Sequence, residues 1–372
     1  MNSWLAVAIS AAFLGTWFLV RILVRKASEI GLVDHPNERS SHSRIMPRGG
    51  GIGFVLVWIC GCFVWQMYAS QDSIGQLLFY TPILGATIIS AVSLWDDFRS
   101  VGVIIRFSIH GICSIACLAA FGWFTEIDVG TVVPLGLFSF FITVIWVMGL
   151  TNVFNFMDGI DGIAGLQGLV AASSWCLAGV FYKMPFVGVS SGLLAGGCAG
   201  FLLHNWSPAK IFMGDVGSAF LGFVFAVLPL VALRELPTDA KMVLTARLPV
   251  FAVLVVWPFL ADGSFTFCRR LLKREPVWKP HRSHLYQRLI QTGWSHALVA
   301  SYYGLWAIVC VVAGFFYLLS SSRIWSWPAP ILFLVTTWLF TVFRERRNRQ
   351  VQSEARGNLG TVSEIILKSI IK

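Results

Sequence analysis

The sequence predicts an all-α protein, a polytopic transmembrane helical bundle of about eleven spans with its N-terminus outside and its C-terminus cytoplasmic. Three observations carry this. The chain is 56% hydrophobic and only 12% charged, with a mean hydropathy of +0.74, whereas soluble domains run at about 25% charged. Apolar stretches of about the length needed to cross a bilayer, roughly 20 residues, recur along the whole chain. The basic residues collect on one side of those stretches, as cytoplasmic loops do.

The apolar stretches fall at 3–22, 52–69, 78–95, 103–123, 133–150, 164–182, 186–204, 217–233, 246–263, 298–319 and 327–343. The first is followed by Arg21, Arg25 and Lys26 and has no basic region before it, so it reads as a helix and not as a cleaved leader. Those from the fifth to the ninth are crowded, and short or broken helices are expected among them. Gly192, Gly196, Gly197 and Gly200 imply close helix packing in the seventh. With eleven spans the loops alternate. One side then holds 23 of the 28 Lys and Arg, and the other only Lys183, Arg234, Lys241, Arg247 and Arg323. The first side is therefore cytoplasmic. The net charge of +10 sits mainly there, which suits membrane lipid head groups and phosphorylated ligands rather than nucleic acid. The eight cysteines lie mostly in apolar runs and form no paired metal-binding spacing, so they read as small core residues.

Carboxylates are the informative residues. Of ten Asp, five fall in three short cytoplasmic loops, while Asp72, Asp128 and Asp239 stand singly on the other side. Carboxylates beside a bilayer are costly unless paired, hydrated or bound to a metal. Asp96 and Asp97 are adjacent, and their repulsion calls for a cation or neighbouring arginines. Asn152, Asn155, Asp158 and Asp161 recur every third position, so they would share a face if the segment were helical. A helix cap would account for one of these polar groups but not for four. Asp215 is bracketed by Gly214 and Gly217, and a single carboxylate suits Mg²⁺, which keeps waters and substrate phosphates. The loop at 264–297 brings Arg269, Arg270, Arg282, His281 and His284 together, a pattern suited to clamping a diphosphate.

These motifs are similar to those of the polyprenyl-phosphate N-acetylhexosamine-1-phosphate transferases. The matching pieces run in order from Gly31 to Asn37, Pro47 to Gly51, Asp96-Asp97, Asn152 to Gly162, His204 to Asp215, Asp262 with Arg269-Arg270, and His281 with His284. They span nearly the whole chain, and all are cytoplasmic in the topology above. The resemblance implies a transferase domain at 1–343 followed by a basic cytoplasmic tail at 344–372. It implies an enzyme of the bacterial cytoplasmic (inner) membrane that joins undecaprenyl phosphate to the sugar phosphate of a UDP-N-acetylamino sugar. Mg²⁺ is the implied cofactor, with Mn²⁺ as the alternative, and a homodimer is compatible. Asp215 matches the metal aspartate. Asp96 and Asp97 match the family's aspartate pair, one of which acts on the lipid phosphate, and Asp158 matches a neighbouring polar residue of the active site. Asp161, Asn205 and Phe212, with Gly159 and Ile160 alongside, match the uracil site, and His281 matches the first histidine of the histidine motif. Arg282 and Ser283 interrupt what is a contiguous histidine triplet in the peptidoglycan enzyme, which argues against a muramoyl-pentapeptide substrate. The segment from Cys268 to Leu289 resembles O-antigen-initiating members that handle N-acetylfucosamine or N-acetylquinovosamine. The rival reading is a secondary transporter, but transporter sites lie near the bilayer midplane, and these acids all lie at one boundary.

Overall fold

A computed structural model describes residues 2–36, 45–69, 78–276, 281–320 and 327–370; Asn37, Arg39, Arg44, Asp72, Lys279, Arg323 and Lys372, named or counted above, lie outside them. The described chain is a helical bundle with two small hairpins. In order it contains α1 (Asn2–Lys26), β1 (Val33–Asp34), β2 (Met46–Pro47), α2 (Gly51–Ala69), α3 (Tyr80–Phe98), α4 (Val103–Phe121), β3 (Glu126–Asp128), β4 (Val132–Pro134), α5 (Ser139–Met157), α6 (Ile163–Phe181), α7 (Pro185–Asn205) and α8 (Asp215–Glu235). It continues with α9 (Thr238–Leu244), α10 (Leu248–Val255), α11 (Trp257–Leu272), α12 (Leu285–Gln291), α13 (His296–Leu319) and α14 (Pro328–Ile370). Both hairpins are antiparallel, pairing Val33 with Pro47 and Ile127 with Val133.

Among the described residues, eight helices are long and apolar enough to cross a membrane, or nine if a bent pair counts as one span. Every stretch read as a span contains helix, but α3 and α14 are not among those eight. α3 carries Asp96 and Asp97 at its end, and α14 is apolar only in its first half. The stretch at 246–263 is broken: α10 and α11 meet at 81°. The break follows from Pro258 at the start of α11, which cannot donate back into the preceding helix. The fifth helix starts later than its apolar run, because Val132–Pro134 pairs as a strand.

α7 and α8 are apolar on all sides and almost wholly buried, so they form the centre. The outer helices turn apolar side chains such as Trp4, Leu14, Ile104 and Ile145 outward. Small residues let α1 lie against α7: a Cβ at Gly196 would fall 2.3 Å from the Ile9 carbonyl oxygen, and one at Gly200 2.4 Å from that of Phe13. The exit of α3, the entry of α4, the exits of α5 and α7 and the entry of α8 meet at one end of the bundle. That end holds the acidic loops.

Candidate active site

The N-terminal turn of α8 organises the cluster. Gly214 is left-handed (φ 79°), and a Cβ there would fall 2.8 Å from the Asp97 carboxylate. That close approach lets Asp97 accept the backbone N–H groups of Asp215 (3.2 Å) and Val216 (3.4 Å). These are the free donors of a helix start, so Asp97 acts as a cap delivered from another helix. Asp97 is fully buried at its side chain, whereas Asp215 is 23% exposed.

Two arginines neutralise these acids. Arg48 bridges Asp97 (2.7 Å) and Asp215 (2.6 Å). Arg106 pairs with Asp96 and reaches Asp215 at 3.3 Å. Asp96 also accepts the N–H of Val101 at 2.7 Å, which fixes the turn into α4. Arg48 is placed by backbone pairing: the Gly50 N–H donates to the Phe212 carbonyl, and the Phe212 N–H to that of Pro47, both at 2.8 Å. Sequence reading called for neighbouring arginines at Asp96-Asp97 but did not identify these two. Arg48 lies 167 positions from Asp215, and no local pattern links them.

Asp158 completes the acidic group. The expectation of one helical face through Asn152, Asn155, Asp158 and Asp161 is corrected. α5 stops at Met157, Asp158 is its C-terminal cap with ψ 58°, and Gly162 is left-handed. Asn152 bonds back to the Met148 carbonyl, and Asn155 donates to the Ser218 hydroxyl, tying α5 to α8. Burial pushes the Asp158 carboxyl up to about 7, with the charges of Asp215 and Asp97 adding to it and Arg48 opposing.

Asp161 and Asn205 hold a second loop. Asn205 accepts the Gly162 N–H (3.0 Å) and donates to the Ile211 carbonyl (2.9 Å). Asp161 accepts the Ala209 N–H (3.2 Å) and lies 3.3 Å from His296. Burial would raise the Asp161 carboxyl, but the bond and charge of His296 outweigh it and hold the group below its ordinary range. Together they shape the loop 206–212, which carries Phe212, partly buried, at its end. His296 was not singled out from sequence.

The histidine loop is anchored from below. Asp262 is wholly buried in α11 and accepts the N–H groups of Leu285 (2.8 Å) and Tyr286 (3.0 Å), capping α12. It also accepts the Tyr303 hydroxyl at 2.7 Å, and His284 stands 3.4 Å away. Tyr286 donates to the Phe156 carbonyl at 3.1 Å. A Cβ at Gly159 would fall 2.0 Å from that phenol oxygen, so Gly159 makes room for Tyr286, and Ile160 beside it is buried. Arg270 is spent on Glu275 and the Pro276 carbonyl, and Arg269 on the Ser283 carbonyl. The expected clamp of cations and histidines is corrected accordingly: Arg270 and His284 are buried struts of the loop. His281 is pushed down to about 4 by burial, then by His284 and the two arginines, so it is neutral at pH 7. Its Nδ1 accepts from the Ser283 N–H at 3.3 Å, which leaves the proton on Nε2. Arg282 is partly buried in this loop, and its carbonyl accepts from Gln291.

Four carboxylates, Asp96, Asp97, Asp158 and Asp215, and two arginines thus converge from separate segments. A divalent cation fits this donor set. The oxygens are hard ligands, and the carboxylates of this group outnumber its two arginines. Among the described residues, no three His, Cys, Asp or Glu side chains converge as a complete metal cage. Such an ion would need substrate oxygens and water as well, as Mg²⁺ commonly does.

Residues 79–233 match the family model described as glycosyl transferase family 4. The chain is 27% identical over 344 residues to a probable undecaprenyl-phosphate N-acetylglucosaminyl 1-phosphate transferase of Bacillus subtilis, covering 91% of this chain and 88% of that one. It is 30% identical over 328 residues to a decaprenyl-phosphate N-acetylglucosaminephosphotransferase of Mycobacterium tuberculosis, covering 81% and 79%. It is 25% identical over 391 residues to an undecaprenyl-phosphate alpha-N-acetylglucosaminyl 1-phosphate transferase of Salmonella typhimurium, covering 93% and 96%.

Proposed function

The chain belongs to the polyprenyl-phosphate N-acetylhexosamine-1-phosphate transferase family, multi-pass membrane enzymes that transfer a phospho-sugar, and from that premise we propose its substrates, site and pathway. It moves an N-acetylamino-sugar 1-phosphate from a UDP-sugar to undecaprenyl phosphate. The products are UMP and undecaprenyl-diphospho-sugar, the first intermediate of O-antigen or a related envelope polysaccharide. The reaction takes place at the cytoplasmic face of the inner membrane, a placement supported by the 23-to-5 distribution of basic residues.

The observation that carries this reading is the meeting of Asp96, Asp97, Asp158 and Asp215 around Arg48 and Arg106 at one end of the bundle. A lipid phosphate oxygen forms a bond to the phosphorus that bears the sugar, and the bond from that phosphorus to the UMP oxygen breaks. The nucleophile needs little activation, since a phosphate monoester has a second pKa of about 6. The harder problem is repulsion between two anions. Arg48 and Arg106, each about one quarter exposed, supply fixed positive charge to the transferring group. Asp158, in its ionised form, accepts the remaining proton of a monoprotonated lipid phosphate. His281 donates from Nε2 to a diphosphate oxygen without adding charge. Phe212 stacks on the uracil, while Asp161 and Asn205 hold its loop in place. Mg²⁺ or Mn²⁺ held by Asp215, with Asp158 beside it, would neutralise diphosphate oxygens when bound. The sugar is selected by the loop from Arg269 to Arg288.

Purified protein with Mg²⁺, undecaprenyl phosphate and UDP-linked N-acetylglucosamine, N-acetylfucosamine and N-acetylquinovosamine tests the reading, with the lipid product identified by mass. UMP release that depends on the lipid, with a matching diphospho-sugar, is the expected result. A folded protein that releases no lipid-dependent UMP with any of the three overturns it.

A further inference from the structure

We propose that the seam between α1 and α7 seats a resident anionic phospholipid, with its headgroup on Arg21, Arg25 and Lys210 and an acyl chain in the cleft beneath. Two cavities lie along this seam. The first, about 350 Å³, is lined by Trp17, Arg21, Arg25, Leu203, His204 and Lys210. The second, about 690 Å³, is lined by apolar and small residues including Phe13, Leu14, Leu177, Ala195 and Ala199. On α1 the lower lining ends at Leu14 and the upper begins at Trp17, three positions or roughly 4.5 Å of helix further on, so one lies below the other along the bundle axis.

The chemistry of the upper cavity is that of a phosphate site. Unlike Arg48 and Arg106, its three cations have no carboxylate partner among the described residues. The Arg21 guanidinium lies 5.3 Å from the Trp17 ring centre, which holds it over the cavity. His204 meets the Trp17 carbonyl at 3.2 Å and closes the back wall. Three unpaired cations on one wall repel each other, and an anion removes that repulsion. The lower cavity opens to the perimeter, where its lining residues Leu14 and Leu177 are 58% and 62% exposed. A basic head site above an apolar, lipid-facing cleft has the shape of one lipid molecule.

The site is separate from the carboxylate cluster. His204 faces the α1 seam, while Asn205 faces Gly162 and Ile211 on the other flank of the α7 end. A headgroup here is therefore not the one presented for transfer. It does touch the loop that carries Phe212. The Lys210 N–H bonds to the His204 carbonyl at 2.8 Å, and its neighbour Ala209 bonds to Asp161. A bound lipid steadies the loop 206–212 from its outer side.

The test is native mass spectrometry of the delipidated full-length protein titrated with phosphatidylglycerol, phosphatidylcholine or undecaprenyl phosphate. Phosphatidylglycerol should bind at this seam in preference to phosphatidylcholine. Removing two cations (Arg21→Gln with Lys210→Gln) should weaken phosphatidylglycerol about thirtyfold, at about fivefold per basic residue. The charge-retaining pair Arg21→Lys with Lys210→Arg should keep most of the affinity, and Ala199→Phe should lower it by filling the cleft. Photo-crosslinking of the wild-type protein with a headgroup-labelled phosphatidylglycerol keeps the test independent of variant folding. Label at residues 17–25 and 203–210 supports the proposal. Equal affinity for the two phospholipids, label elsewhere, or undecaprenyl phosphate displacing phosphatidylglycerol from these residues overturns it.

Discussion

The two ends of the bundle both pair aspartate with arginine, yet they use the pairing differently. At the end without the acidic loops, Arg247 faces Asp128, with Nε and Oδ2 3.9 Å apart. Arg247 also donates to the Leu318 carbonyl at 2.8 Å, the Asp128 N–H bonds to the Ala246 carbonyl at 2.9 Å, and the Tyr317 hydroxyl donates to the Asp128 carbonyl. Both side chains are almost sealed, at 11% and 2% exposure. At the other end Asp215 shares two arginines with Asp96 and Asp97, stays partly exposed, and has Asp158 crowding it. The first arrangement consumes its charge inside the protein. The second keeps charge in surplus and in reach of a ligand. Residue types alone do not separate structure from chemistry here; exposure does.

Four measurements can break or sharpen this contrast. The largest effect is expected for Asp215→Asn. Turnover should fall by about a thousandfold or more, consistent with losing several kcal/mol of charge stabilisation, while the melting temperature stays near wild type. Near-normal turnover at saturating Mg²⁺ would remove Asp215 from the chemistry. Arg247→Met should show the opposite profile. Removing the guanidinium that faces the buried Asp128 carboxylate should cost about 3 kcal/mol of stability, read as a lower midpoint in thermal denaturation, with kcat retained below that midpoint. A selective loss of kcat in a fully folded Arg247→Met protein would erase the distinction between the ends.

Phe212→Ala is expected to weaken UMP binding about tenfold, within the range of roughly 1–3 kcal/mol for stacking on a base, and to leave undecaprenyl phosphate binding unchanged. Calorimetry with each ligand checks it, and unchanged UMP affinity would move the nucleotide site elsewhere. The smallest effect belongs to Asp158. Its folded value of about 7 lies above the ordinary 3.8. Between those values the folded protein therefore holds a proton that the unfolded chain releases. Stability should then decline as pH rises through that window and level off above about 7. Asp158→Asn should flatten the decline in the melting temperature of the ligand-free protein. An identical slope in the variant would show that other groups set it.

The helical class and most helix positions were legible because apolar runs of membrane length leave few other structures. The break at Val256 was harder to place, since Val-Val-Trp-Pro is apolar throughout and only Pro258 marks the new helix start. The hairpin at Glu126–Pro134 was hidden for the same reason: Val133 and Pro134 read as the beginning of a span. At the site, Asp96, Asp97, Asp158 and Asp215 stood out because carboxylates are scarce in this chain. Arg48 and Arg106 did not, because their partners are long-range: Arg106 lies 109 positions from Asp215. His296 was hidden similarly, 135 positions from Asp161. The roles of Arg270 and His284 were not legible either, because a basic loop looks the same in sequence whether its charges face a ligand or hold the loop together.

Asp262 sets an order of events during synthesis. It holds the start of α12, yet one of its bonds comes from Tyr303, which is made later than the loop it helps to fix. While the ribosome has not passed α13, this buried carboxylate lacks one of its donors, and the turn below His281 is incompletely anchored. The anchoring of the turn below His281 is therefore complete only once Tyr303 has been made. Tyr303→Phe, which removes this hydroxyl donor, should leave Tyr286 more open to chemical labelling than in the wild-type protein.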